Sequence, residues 1–118
     1  MDVRSHVQKM DEMVSRGDIV NAVKEFFADD AKTSDYANLT TSGKEQMIDK
    51  MTGFTGAIAN VNGITHHRTI VDGNISASEF SFDFDMQDNT KIFWHEIIRR
   101  VWNDQGRVIE EEYFDAKN

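Results

Sequence analysis

The chain has 118 residues, 13 basic against 21 acidic side chains for a net charge of −8, no cysteine and no proline. The absence of cysteine excludes disulfides, thiolate metal sites and a thiol nucleophile. The acidity repels phosphate backbones and anionic lipids, and the longest basic cluster is only Arg99-Arg100, so neither nucleic acid nor a membrane is expected as a partner. No apolar run approaches the ~20 residues that cross a bilayer, and 39% hydrophobic residues are too many for disorder; a soluble, cytoplasmic single domain over residues 1–118 is expected.

The first half reads as helical. Val3, Val7, Met10 and Val14 form one stripe of an amphipathic helix that Gly17 closes. Asp18 can cap a second helix carrying Ile19, Val20, Val23, Phe26 and Phe27 as far as Asp29-Asp30. After a short segment, Ala31 to Leu39, Ser42 and Glu45 match a capping box for a third helix with Met47, Ile48, Met51, Phe54 and Ile58. The period then changes to two. Thr65 to Val71 is extended and ends in an Asp72-Gly73 turn, and Ile75 to Met86 puts Phe80, Phe82 and Phe84 on one face with Glu79, Ser81 and Asp83 on the other. Lys91 to Trp102 and Arg107 to Phe114 complete a meander of about four strands. The expected fold is α+β, three N-terminal helices packed on one face of an antiparallel sheet.

Gly17-Asp18, the block Phe27-Ala28-Asp29-Asp30-Ala31, a third helix opening at Gly43, Gly106-Arg107-Val108-Ile109 and the ending Glu112-Tyr113-Phe114-Asp115 together resemble the SnoaL-like branch of the nuclear transport factor 2 superfamily over nearly the whole chain. The resemblance implies a curved sheet in a cone-shaped, cystatin-like α+β barrel around an apolar pocket, usually in a homodimer. It implies no single function, because the fold hosts ketosteroid isomerase, polyketide cyclases, scytalone dehydratase, limonene epoxide hydrolase and non-catalytic association domains.

The residues alone favour reading Asp35 as a turn carboxylate in Ser34-Asp35-Tyr36, while matching the Phe-Ala-Asp-Asp-Ala block to ketosteroid isomerase places it on that enzyme's general-base aspartate. The same match puts Met10 and Ile98 where the isomerase keeps its oxyanion donors, so a steroid-type dienolate would lack both unless Tyr36 or Tyr113 supplied a hydroxyl. Aligning the hairpin at Gly106 turns Trp94, Glu96, Ile98, Arg100, Ile109, Glu111 and Tyr113 toward the pocket with Phe80, Phe82 and Phe84, a mostly apolar wall with a few polar groups. Arg100 can pair with Glu111 across the hairpin, and the alternative reading puts that pair on an exposed face at a dimer interface. His66 and His67 point to opposite faces of one strand, as do His95 and Glu96, so no metal-ligand spacing is evident and no cofactor is expected.

The combined expectation is a small hydrophobic ligand in an apolar pocket. The activity would be of isomerase, cyclase or dehydratase type on a hydrophobic carbonyl compound, with Asp35 and Glu96 catalytic and Tyr36, Arg100, Glu111 and Tyr113 orienting the ligand. The alternative is a non-catalytic dimeric module. A void able to hold a ligand of ~300 Å³ separates the two.

Overall fold

In the computed structural model, which describes residues 2–116, helix α1 (Val3–Ser15) buries Val7, Met10 and Val14, and with them Asp11. The Asp2 side chain caps its first turn by accepting from the Arg4 amide at 3.1 Å. Gly17, at φ +79°, ends the helix: the Gly17 and Asp18 amides donate to the carbonyls of Val14 and Met13, both at 2.9 Å. This paired arrangement satisfies the last carbonyls and needs a left-handed residue that glycine adopts without a Cβ penalty.

Helix α2 (Ile19–Phe26) stops short of Asp29-Asp30. Phe27 is already extended (φ −78°, ψ 138°) and pairs with Val108, so the two adjacent buried phenylalanines serve different elements: Phe26 packs edge-on against Trp102 and Phe27 starts a strand. That strand, β1 (Phe27–Asp35), turns through Tyr36-Ala37 into β2 (Asn38–Ser42), where the sequence pattern indicated only a short segment. The capping box does not form at helix α3 (Lys44–Gly56). Gly43 is its N-cap at φ +104°, and the Ser42 amide donates instead to Gln46 Oε1 at 2.8 Å.

Strand β3 (Ile58–Asp72) begins well before Thr65, its early half hidden from pattern reading by Asn60, Asn62 and Gly63. Strands β4 (Ile75–Met86) and β5 (Lys91–Trp102) have the expected bounds, and β6 (Val108–Asp115) closes the chain of elements. The order across the sheet is β2-β1-β6-β5-β4-β3. Every pairing is antiparallel except β1 with β6, which is parallel, so the sheet is mixed and has six strands, two of them placed between α2 and α3. The class is α+β as expected; the all-antiparallel meander of about four strands is corrected, and the short segment after α2 is a pair of strands.

Phe80, Phe82, Phe84, Ile98 and Trp102 form the inner side of the sheet and share one core with Val7, Met10, Val14, Val23, Phe26 and Met47 from the helices. Ile109 is not among them. Val101 pairs with Glu110 and Trp102 with Val108, so Ile109 is the extra residue of a β-bulge and is exposed, while Val108 and Glu111 are both buried. No helix among the described residues is long and apolar enough to cross a membrane.

Candidate functional site

A cavity of about 200 Å³ lies between the helices and the inner face of the sheet. Its apolar wall includes Val14, Val23, Met47, Met51 and Phe54 from the helices and Phe82, Phe84, Trp94 and Ile98 from the strands, with Met10 among them. Trp94, partly exposed, stacks on Phe54 with ring centroids 5.4 Å apart. The polar groups of the lining are Asp35, Tyr36, Lys50, Glu96, Arg100, Glu111 and Tyr113. Asp35, Tyr36, Phe82, Phe84, Trp94, Glu96, Ile98, Arg100, Glu111 and Tyr113 thus come together as the sequence suggested. Phe80 does not join them: it is fully buried behind the cavity, stacked on Phe82 at 5.5 Å and on His66 at 4.8 Å. The aromatic side chains stack in part, Phe82 on Phe80 and Trp94 on Phe54, and still leave a void. The void is smaller than the ~300 Å³ common for ligand pockets, yet larger than the ~150 Å³ apolar cavity that admits benzene.

Strand alternation places Glu96, Ile98 and Arg100 on the inner face of β5. Glu96 is 7% exposed and accepts a 2.5 Å hydrogen bond from the Tyr36 hydroxyl. Burial raises the proton affinity of Glu96; the Tyr36 hydroxyl opposes that shift, and the carboxylates of Asp35, Asp115 and Glu111 add to it. The Tyr36 phenol is itself held well above its ordinary value, first by burial and then by the Glu96 hydrogen bond. Asp35 is paired with Lys50, Nζ to Oδ2 at 2.7 Å, and the same ammonium donates to Thr40 Oγ1 at 3.1 Å. Tyr36 and Ala37 form a two-residue hairpin turn with φ +53° and +71°. The turn is pinned by the Tyr36 amide donating to the Tyr113 carbonyl at 3.0 Å.

At the polar end of the cavity, starting from Arg100 and Glu111 in its lining, runs a buried charged chain. Arg100 donates through Nε to Glu111 Oε2 at 3.0 Å and through Nη1 to Asp11 Oδ1 at 2.9 Å, with all three residues at most 2% exposed. The Arg100–Glu111 pair is therefore real but lies on the buried face, which overturns the exposed-interface reading of it. Burial alone would loosen the Arg100 proton; the Asp11 and Glu111 carboxylates outweigh burial and hold it more tightly. Asp11 also accepts from Thr69 at 2.7 Å and Ser78 at 2.8 Å, so its charge is met on every side that the fold reaches. Tyr113 donates to Glu111 Oε1 at 2.6 Å, and its hydroxyl pKa is raised well above the ordinary value by burial and then by Glu111.

Sequence reasoning missed Asp11 and Lys50. Asp11 had a signal: it stands four residues after Val7 and three before Val14, an acid inside the apolar stripe. Lys50 had none, because its partner sits at the end of a strand the pattern did not show.

No known family's sequence profile matches the chain, and no curated protein matches it. Among solved structures it is similar to a protein from Mesorhizobium loti named as a SnoaL-like polyketide cyclase, with a TM-score of 0.84 at 20% identity over 97% of this chain and 99% of that one. AclR of Streptomyces galilaeus, named as a hydroxylase, gives 0.76 at 16% identity over 96% and 87%. A protein of ketosteroid isomerase-like fold from Catenulispora acidiphila, solved with trimethylamine, gives 0.68 at 17% identity over 83% and 75%. At these identities the likeness shows the fold alone: this chain is folded like the proteins named SnoaL-like and ketosteroid isomerase-like.

Proposed function

We propose that the cavity binds a hydrophobic carbonyl compound of about one or two rings and moves a proton on it, with Glu96 as the acid–base group. One observation carries the reading: a carboxyl of raised proton affinity, 7% exposed, stands in the lining of an apolar cavity with its position fixed by the Tyr36 hydroxyl. In this reading the Glu96 carboxylate takes a proton from the carbon beside the carbonyl, and the electron pair moves onto the carbonyl oxygen. The same carboxyl then returns the proton to another carbon, which is an isomerisation, or to a departing hydroxyl, which is a dehydration. Asp35, the base implied by the family match, is occupied by Lys50 at 2.7 Å; its part is to hold that ammonium where it offsets charge building on the ligand oxygen.

The enzymatic names of the M. loti and S. galilaeus structures support an activity over a purely associating module. A homodimer, a cone-shaped sheet and a cytoplasmic location belong to the same reading. The test is hydrogen exchange in D2O at the carbon beside the carbonyl of monocyclic and bicyclic enones, followed by NMR. The wild-type chain should accelerate it, and Glu96→Gln should lose about 10²- to 10⁴-fold while Asp35→Asn loses less. Exchange no faster than in buffer, or undiminished in Glu96→Gln, would overturn the assignment.

A further inference from the structure

We propose that His67, Glu79 and His95 form a Zn²⁺ site on the outer face of the sheet, opposite the cavity. Each comes from a different one of three adjacent strands, β3, β4 and β5. Alternation that buries Phe80 and Glu96 turns Glu79 and His95 outward. His67 arrives there by an irregularity: His66 pairs with Phe80 and Arg68 with Glu79, so His67 is the extra residue of a bulge. Its Nε2 lies 2.7 Å from Ser81 Oγ, on the outward side, while His66 stacks inward on Phe80.

One donor atom from each of the three residues lies within 4.8 Å of the other two. His95 Nε2 is 2.6 Å from Glu79 Oε2, and the two imidazoles stand 5.2 Å apart. Tetrahedral zinc, with bonds of about 2.0–2.2 Å to nitrogen and oxygen, separates its ligand atoms by about 3.3 Å. The cluster reaches that geometry if His67 releases the neutral Ser81 hydroxyl and the His95–Glu79 pair opens slightly. Two imidazoles and one carboxylate leave a fourth position for water, a donor set zinc favours. Arg68 Nε contacts Glu79 Oε1 at 2.9 Å and leaves Oε2 to the metal.

The chelator-treated full chain is titrated with ZnCl2 by calorimetry, and Co²⁺ is used as a visible-absorbing stand-in. One Zn²⁺ per chain at micromolar affinity or tighter is expected, with a four-coordinate Co²⁺ spectrum. His67→Ala and His95→Ala should each weaken binding by about tenfold or more, and Glu79→Gln likewise, whereas His6→Ala should leave it unchanged. In a dimer formed through this face the stoichiometry stays one per chain. No saturable binding, a ratio other than one, or affinity undiminished in both histidine variants would overturn the site. Should an alanine variant fail to fold, His67→Asn and the wild-type Co²⁺ spectrum decide.

Discussion

Glu96 links the cavity to the stability of the chain through its proton. Burial raises its folded-state pKa above the ordinary 4.5, so from pH 4.5 up to that higher value the folded chain holds more proton than the unfolded one. Stability contributed by this group is complete below 4.5 and is lost as pH rises through the folded value. Glu96→Gln, whose amide oxygen can still accept from Tyr36, removes the proton linkage. Melting temperatures should therefore show the variant gaining on the wild type at about pH 7.5 relative to about pH 4; a difference that does not change with pH would contradict the assignment. Arg100 illustrates the opposite economy. It is buried as an ion, and the two carboxylates that flank it are what make the burial tolerable.

Among the elements, the hairpin joining β1 to β2 is the one whose sequence argues against its shape. Its central residues both have positive φ, which a twisted two-residue turn requires and which Asn-Gly provides at little cost. Tyr36-Ala37 provides it under strain, and the Tyr36 hydroxyl on Glu96 and the Tyr36 amide on Tyr113 hold the turn in place. Ala37→Gly should raise stability by about 1 kcal/mol, read from urea midpoints; a lower midpoint would place the strain elsewhere. This hairpin also marks the limit of pattern reading. β4 was legible to its end residues because Phe80, Phe82 and Phe84 alternate with polar side chains, whereas β5, whose outward face carries Phe93, Ile97 and Val101, was bounded by the turns that flank it. In β1, the buried Ala31 and Thr33 are too small or too polar to announce a period, and Lys32, Asp29 and Asp30 dominate the composition. The bulge that moves Ile109 out and the bulge that carries His67 outward depend on cross-strand register, which no single strand encodes.

At the scale of the whole molecule, the strand side of the cavity wall was visible in advance because the family match at the Gly106 hairpin chose the inward face of β5, which alternation alone leaves open, whereas its helical side was not and its polar end only in part. The Arg100–Glu111 pair followed from hairpin register; the Asp11 arm of the same chain needed α1 to be docked on the sheet. The homodimer proposed above is tested on Phe93, 56% exposed on β5. Light scattering should give twice the chain mass, and Phe93→Asp should shift it toward one chain; a wild-type monomer would refute the homodimer.

The parallel seam between β1 and β6 has a consequence in time. β1 ends near residue 35 and β6 begins at Val108, so the middle of the sheet joins two segments separated by most of the sequence. Closing so long a loop comes before its contacts stabilise anything, which makes such pairings slow relative to the β3–β4 and β4–β5 hairpins. Asp35, Tyr36 and Lys50 are synthesised early, yet they meet Glu96 and Tyr113 only once that seam closes. Contact order therefore predicts that the cavity assembles after the β3–β4–β5 hairpins, an order that pulsed hydrogen exchange during refolding would show as late protection of β1 and β6.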